Sequence, residues 1–208
     1  MPVRAELFRI VLRHGIEVEN ALIPTLEFLD AYPSTVADAT SPTDSFGEED
    51  LRRANRGGAR ISAAEIAAVL ERKSEIERWL REISAHASLA RAERSIRWST
   101  LTGLFERFSG IRGIGLSKVT KTLHPKRPAL IPMLDSVVQA YLARDDLGGS
   151  EPFAERATAL VRSYKADLDH NRGPLHGLQR ELAGRAYQLT EVRILDILIW
   201  SVFADRAR

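Results

Sequence analysis

A short run of glycine and apolar residues is the first feature of this sequence that could bind a ligand. It reads Ile111-Arg-Gly-Ile-Gly115 and lies between two segments with helical periodicity. Glycine adopts positive φ and lets the backbone approach a partner closely, and the first amides of the following helix lack partners within that helix. With the helix dipole, these amides form a site suited to one anionic group such as a phosphate.

Positive charge is concentrated around this turn. Between Phe105 and Pro128 there are six Lys and Arg residues and one acidic residue, although the whole chain of 208 residues carries a net charge of only +2. Such an excess beside an anion site indicates a surface that contacts a nucleic-acid backbone, and a solvated basic surface is the alternative. The residues predicted to contact DNA are Arg112, Gly113, Gly115, Ser117, Lys118, Lys121, Lys126 and Arg127.

A second group of cations surrounds the Gly57-Gly58 pair and offers a further phosphate contact. A solvated surface explains this group equally well. Its members are Arg52, Arg53, Arg56 and Arg60.

The turn and an aspartate downstream of it resemble a known superfamily. Asp135 lies twenty residues after Gly115 and opens another predicted helix, Leu134-Asp-Ser-Val-Val138. This spacing resembles the hairpin and aspartate of the helix-hairpin-helix DNA glycosylases, which include the endonuclease III and 3-methyladenine glycosylase families. The segments 126–138 and 193–200 are also similar to a group of bacterial domains of unassigned function.

The resemblance implies a catalytic role for Asp135. Its carboxylate would lie beside the sugar of an extruded nucleotide, stabilise an oxocarbenium-like transition state and orient water for attack on C1′. A helix N-terminus favours the ionised carboxylate that this role requires. The alternative is structural, because aspartate is also a preferred N-cap residue.

Position 117 distinguishes this chain from the strand-cleaving members of that superfamily. Those members resemble one another in carrying an amine two residues after the second hairpin glycine, where this chain has Ser117, and a serine cannot form a Schiff base. Ser117 is interpreted as the N-cap of the helix after the turn. Lys121 lies one turn further on the same face, so it is kept as the alternative amine nucleophile. The resemblance therefore implies a monofunctional glycosylase without a cofactor.

A base-flipping enzyme needs a pocket with aromatic walls. Arg193, Asp196 and Trp200 share one face of the last predicted helix at spacings i, i+3 and i+7. We expect them to line a base pocket beside Asp135, together with Tyr141 from an earlier helix. The alternatives are an Arg-Asp pair that tethers a packing helix, and aromatic side chains that belong to the core.

Helical periodicity runs through nearly the whole chain and predicts a single all-α domain, residues 1–208, with two lobes. Residues 101–124 are predicted to form a helix-hairpin-helix element. Residues 33–47, rich in Ser, Thr, Asp and Pro, are predicted to be a loop or linker. The last helix, from Thr190 to about Ala204, is apolar on most of its surface and is expected to be buried.

Local signals place several helix ends. A first helix is expected to end at Gly15. Ser62 with Glu65, and Ser74 with Glu77, have the spacing of capping boxes and predict two short helices in tandem. The sequence predicts no strand pair.

Composition excludes several classes of protein. The chain has no cysteine, which excludes disulfide frameworks, Cys-ligated zinc, iron–sulfur clusters and cysteine nucleophiles. Its five histidines show no zinc-ligand spacing, so no metal site is predicted. No apolar run is long enough to span a bilayer and no secretory signal is recognised, so a cytoplasmic protein without membrane contact is expected.

These observations lead to DNA as the predicted partner, with no protein partner. The first hypothesis is a monofunctional DNA N-glycosylase that removes a modified or damaged base. The alternatives are a non-catalytic helix-hairpin-helix DNA-binding protein and an all-α interaction protein with no nucleic-acid partner. Salt separates the last from the others, because phosphate contacts weaken steeply as salt rises.

Overall fold

The computed structural model describes residues 8–33, 44–143 and 151–204. These residues are mostly helical, as the sequence predicted, with one small two-stranded sheet. The strands are β1 (Ile10–Leu12) and β2 (Ile16–Val18). The helices are α1 (Leu22–Ala31), α2 (Glu48–Arg56), α3 (Ala63–Leu70), α4 (Lys73–Glu82), α5 (Trp98–Glu106), α6 (Leu116–Leu123), α7 (Ser136–Ala143), α8 (Phe153–His170), α9 (Arg172–Gly184) and α10 (Glu191–Phe203).

The first described segment is a β-hairpin, so the prediction of a helix ending at Gly15 and of no strand pair is wrong. β1 and β2 are antiparallel, with Leu12 opposite Ile16. His14 and Gly15 adopt φ values of 61° and 70°, which reverse the chain between the strands. Three-residue strands are too short to show the alternation that distinguishes a strand from a helix.

The two predicted capping boxes have different outcomes. Ser62 caps α3: its side chain accepts a hydrogen bond from the amide of Glu65, and the Glu65 carboxylate accepts one from the amide of Ser62. Ser74, in contrast, lies inside α4, whose N-cap is Arg72. The chain enters α4 after a tight turn at the end of α3, where Arg72 donates its amide to Val69 O.

Helix α10 lies at the centre of the fold. It packs against α1, α7, α8 and α9, and every side chain from Val192 to Ile199 is buried. This confirms the prediction of a buried last helix, and Thr190 caps it by accepting a hydrogen bond from the amide of Arg193.

The remaining helices pack on one another away from α10. α6 contacts α2, α2 contacts α3, and α5 contacts both α4 and α8. The contact between α5 and α8 connects α4 and α5 to the helices around α10. None of the described helices is long and apolar enough to cross a membrane. The predicted loop 33–47 falls mainly outside the described residues, and its last residues, 44–47, lead into α2 without helical structure.

Candidate functional site

The hairpin turn, residues 107–115, connects α5 to α6. Gly113 has φ of +83°, a conformation that glycine adopts readily, and Ile114 is buried beneath the turn. Gly115 is the N-cap of α6 and has no side chain to bond the first amides of that helix. Arg112, Gly113 and Gly115 are exposed. Ser117 is not the N-cap of α6, so that prediction is wrong. It is the second residue of the helix, because the extended backbone at Gly115 starts the helix earlier.

A carboxylate lies against this turn. A methyl group added at Gly113 would collide with Glu65 Oε1. Lys118 Nζ donates hydrogen bonds to both carboxylate oxygens of Glu65 at 2.8 Å, and this bond holds the pKa of Glu65 below its usual range. The positive charge of Lys118, one of the predicted DNA contacts, is therefore paired with a carboxylate of the same chain.

Two other predicted DNA contacts, Lys126 and Arg127, are buried, so their assignment to the DNA surface is wrong. Lys126 Nζ pairs with Asp50 Oδ1 at 2.7 Å and is 1% exposed. Arg127 is fully buried and donates from Nε to Ile83 O at 3.0 Å and from Nη2 to Leu80 O. Burial lowers the pKa of the Arg127 guanidinium. These cations hold the end of α4 and the start of α2 in place.

A cleft of about 430 Å³ opens between α1, α2, α6, α7 and α10. Its volume lies in the range of about 300–1,000 Å³ that is common for small-molecule sites. Seven residues that were selected from the sequence, on four different helices or their ends, line this one cleft: Arg53, Arg56, Lys121, Asp135, Arg193, Asp196 and Trp200.

Asp135 is held at the N-terminus of α7. Its Oδ1 accepts hydrogen bonds from the amides of Val137 and Val138, each at 3.0 Å. The segment before it is anchored to α6, because the amide of Leu134 donates to Thr120 Oγ1 at 3.0 Å. Within the described part of the chain, no residue bonds to Asp135 Oδ2. One carboxylate oxygen thus caps the helix, while the residue itself lines the cleft.

Three aromatic side chains, Phe28, Tyr32 and Trp200, form a wall of the cleft and are called the aromatic cluster. Trp200 meets Phe28 and Tyr32 edge to face, with ring centroids 5.3 and 5.4 Å apart. The guanidinium of Arg193 lies 5.6 Å from the centroid of the Phe28 ring. Tyr32 is 41% exposed, so the cluster reaches the protein surface. Such a wall can stack on a planar ring.

Arg193 and Asp196 lie at the inner end of the cleft, and the predicted alternative of an ion pair between them is wrong. Among the described residues, no salt bridge joins them; instead Asp196 Oδ2 accepts from the amide of Met133 at 3.0 Å, and Arg193 Nη1 contacts Met133 Sδ. Both are buried, and each leaves one buried atom without a partner: Arg193 Nε and Asp196 Oδ1. Burial raises the pKa of Asp196 to about 7, and His124 and Arg193 oppose this rise.

Lys121 brings an amine to the same cleft. Its Nζ donates to the carbonyl oxygen of Gly57 at 3.1 Å. Burial lowers the pKa of this amine, and the nearby Asp135 opposes that shift. Arg53 and Arg56 of α2 line the cleft on the same side. Arg53 Nη1 is a third buried atom without a partner, whereas Arg56 pairs with Glu49 at 2.7 Å.

Tyr141 does not belong to the cleft, so its predicted place in the pocket is wrong. Its hydroxyl accepts a hydrogen bond from the amide of Arg13, and its ring packs against Phe203. Burial raises the pKa of this hydroxyl far above its usual value. The α7 face that carries Tyr141 points into the core, together with Leu142, whereas Val138 lines the cleft.

The sequence analysis missed the aromatic residues of α1, Phe28 and Tyr32. They stand four residues apart and therefore share one face of a helix, which was a usable signal. Nothing local indicated that this face would meet Trp200, because that contact joins the two ends of the chain. A second cavity of about 380 Å³ adjoins the chain after α4 and contains none of the predicted residues.

The chain matches one protein family over most of its length. Residues 30–202 match a family of unknown function, DUF6308. No curated protein and no solved structure matches the chain.

Proposed function

Because the chain belongs to the DUF6308 family, whose function is unknown, its own geometry has to indicate its activity, and we propose that it is a DNA N-glycosylase of the monofunctional type. One observation carries the proposal. The Asp135 carboxylate is fixed through one oxygen at a helix N-terminus and lines a cleft with an aromatic wall. In this proposal α5, the hairpin turn and α6 form a helix-hairpin-helix element.

The hairpin supplies a grip for the DNA backbone. Gly115 leaves the first amides of α6 without a side-chain cap, and the exposed Arg112 stands beside them. A phosphate at this position would receive amide hydrogen bonds and the favourable end of the helix dipole. Thr120 connects α6 to the segment that carries Asp135, so the grip and the carboxylate are held in one rigid arrangement.

The reaction places an extruded nucleotide in the cleft. The base stacks against the aromatic cluster, and the sugar lies beside Asp135. The bond between C1′ and the base nitrogen breaks, its electron pair leaves with the base, and the base takes up a proton. The carboxylate stabilises the positive charge that develops on the sugar. Water then adds to C1′ and loses a proton, which leaves a free base and an abasic site.

The test is base release from duplexes that carry alkylated, deaminated or oxidised bases, with alkali used to reveal abasic sites. Asp135→Asn keeps an oxygen that can cap α7, because asparagine is as good an N-cap as aspartate. We expect it to lower the rate of release by about 100–1,000-fold, as for the loss of one electrostatic group at a reacting centre. Glu155→Gln, at an exposed position of α8, is the control and should leave the rate unchanged.

A non-catalytic DNA-binding protein is the second candidate. The two amide bonds to Asp135 favour it, because a capping residue needs nothing more. It predicts no base release by the wild-type protein and salt-sensitive DNA binding that Gly115→Glu abolishes. Base release that persists in Asp135→Asn would contradict the proposed mechanism.

Lys121 separates the monofunctional type from a strand-cleaving one. An amine in the cleft with a lowered pKa could attack C1′ itself. The monofunctional proposal predicts that borohydride traps no covalent complex with abasic DNA. A trapped complex that is absent from Lys121→Gln would show that the Lys121 amine, and not water, is the nucleophile.

A further inference from the structure

Three arginines line the second cavity, the one of about 380 Å³ where the chain leaves α4. Arg81, Arg91 and Arg97 are all exposed. Within residues 8–33, 44–143 and 151–204, none of their guanidinium groups has an ion pair or a hydrogen bond. Exposed arginines elsewhere do pair within their helix, as Arg52 does with Glu48. The cavity therefore gathers positive charge that the described part of the chain leaves unpaired.

The net charge of this lining indicates the charge of a ligand. Glu82 also lines the cavity and pairs with none of the three arginines, so the lining carries a net charge of +2 while His86 is neutral. An anion with two negative charges would balance it. A phosphomonoester has a charge of about −1.5 to −2 at pH 7, whereas a phosphodiester or a single carboxylate has only −1.

Two serine hydroxyls add hydrogen-bond donors to the same cavity. Ser84 Oγ accepts from the amide of His86 at 3.2 Å, and Ser88 Oγ accepts from the amide of Ala90 at 3.1 Å. A hydroxyl that accepts in this way keeps its own hydrogen for another acceptor. Guanidinium and hydroxyl donors together suit a group with several acceptor oxygens, and the planar guanidinium matches phosphate oxygens in pairs.

The loop that carries most of these groups, residues 83–97, is fixed from inside the protein. The carbonyl oxygen of Ile83 accepts a hydrogen bond from Arg127 Nε at 3.0 Å. The carbonyl oxygen of Leu89 accepts one from Lys165 Nζ, also at 3.0 Å. Both donors are buried. Because the backbone of the loop is already held in place, a ligand pays less of the entropy cost of ordering its site.

Apolar residues form the inner part of the cavity. Ile83 and Leu130 are buried, and the half-buried Ala87 and Ile96 line it with them. Apolar surface of this kind favours a ligand that carries an apolar group next to its charge.

We infer that this cavity is a second binding site, for a phosphomonoester that carries an apolar group. Arg81, Arg91 and Arg97 bind the phosphate oxygens, and the apolar group packs against Ile83 and Leu130. Two sources offer this chemistry: a free small molecule and the terminal phosphate of a nucleic-acid strand. Asp135 and the rest of the cleft take no part, so the inference does not rest on the proposed function.

Phenyl phosphate is the first probe, because it carries a dianionic phosphate and an apolar ring but no nucleobase. At pH 8 and low salt, we expect the wild-type protein to bind it in isothermal titration calorimetry. Methyl phenyl phosphate, a monoanionic diester, should bind at least about 5-fold more weakly. Arg91→Gln and Arg97→Gln should each weaken binding of phenyl phosphate by about 10-fold, the change expected for the loss of one hydrogen bond to a charged group.

Arg180→Gln is the matched control. Arg180 is exposed on α9, has no partner among the described residues and does not line the cavity, so its replacement removes the same charge and should leave binding unchanged. Absent binding of phenyl phosphate, equal binding of the diester, or an equal loss in Arg180→Gln would each overturn the inference. Trp200→Leu alters the aromatic cluster, so a loss of binding in this variant would place the ligand in the cleft and overturn the inference as well.

A single DNA strand with and without a 5′-phosphate identifies the source of the phosphate. A gain in affinity from the phosphate, abolished by Arg91→Gln, would support the site and assign it to strand ends. Binding of phenyl phosphate without such a gain would support the site and assign it to a free small molecule. Base release from duplexes is read separately, so failure of the proposed function and failure of this inference are distinguishable.

Discussion

The hairpin turn and the cleft differ in how their charged groups are satisfied. Around the turn, Lys118 pairs with Glu65, and the nearby Lys126 and Arg127 are buried on internal partners. In the cleft, Arg193 and Asp196 keep buried atoms without partners. A basic sequence run thus became largely structural, whereas two charged residues on one apolar helix, α10, kept unsatisfied atoms. The turn has one such atom as well, Arg107 Nε, so unsatisfied buried atoms are concentrated in the cleft rather than confined to it.

Removal of a structural cation should have the largest effect. Arg127→Gln leaves carbonyl groups of Leu80 and Ile83 without their buried donor, and we expect it to lower the free energy of unfolding by about 3 kcal/mol or more. Urea denaturation measures this. Arg112→Gln, at an exposed position, should change stability by less than about 0.5 kcal/mol and instead weaken DNA binding. Equal stability of the two variants would contradict the structural role of Arg127.

The unsatisfied carboxyl of the cleft should make stability depend on pH. The pKa of Asp196 is raised from 3.8 to about 7 in the folded protein, so the folded state keeps a proton that the unfolded chain has already lost. Stability therefore falls as pH rises from about 4 to about 7. Relative to Asp196→Asn, the wild-type protein should lose about 2–3 kcal/mol of unfolding free energy between pH 5 and pH 8.

Urea titrations of both proteins at the two pH values measure that difference. His124, Arg193 and Asp135, the groups whose charges act on Asp196, are present in both proteins, so the comparison isolates the Asp196 carboxyl. Parallel stability curves for the two proteins would mean that Asp196 ionises normally, as a group open to solvent would.

The turn itself should show a smaller effect that depends on which glycine is changed. Gly113→Ala strains a residue with φ of +83° and brings a methyl group against Glu65, so we expect a loss of about 1–2 kcal/mol. Gly115→Ala is the matched variant: φ there is −100°, nothing lies near the added methyl, and the loss should be about 0.5 kcal/mol. Thermal unfolding measures both. Equal losses would show that Gly113 needs no special conformation.

Release of one surface cation should have the smallest effect. Glu65→Gln keeps a side chain that can complete the capping box of α3 but frees Lys118 from its ion pair. We expect DNA affinity to rise about 2–5-fold at low salt, which is under 1 kcal/mol, with a steeper dependence on salt. Glu181→Gln, which frees Arg185 at the end of α9, is the control for net charge. Unchanged affinity in Glu65→Gln would remove Lys118 from the DNA contacts.

Much of the secondary structure was predictable because its signals are local. The Ser62–Glu65 capping box, the apolar stripe of α5 and the buried α10 all follow from spacing along the chain. The β-hairpin was missed because each strand has only three residues and its turn depends on positive φ at His14. Ser74 failed as a cap because the turn from α3 decided where α4 starts.

The candidate site was predictable only in part. Asp135 was selected by its distance from Gly115 in the family resemblance, and Arg193, Asp196 and Trp200 by helical spacing. All four line one cleft. Tyr141 followed the same rule and is in the core, because periodicity identifies a shared face without showing what that face meets. Phe28 and Tyr32 were missed because no local pattern indicates that their shared face meets Trp200.

The sequence by itself determined most of the helices, the caps at Ser62 and Asp135, and the short list of side chains able to do chemistry, because these depend mainly on neighbours within a few residues. Only the tertiary structure decided which charges have partners and which do not. Asp50 reaches Lys126, and Glu65 reaches Lys118, across more than fifty residues of chain. Burial and pairing are properties of the packed molecule, and they separate the cations that hold this fold together from the groups left free to bind.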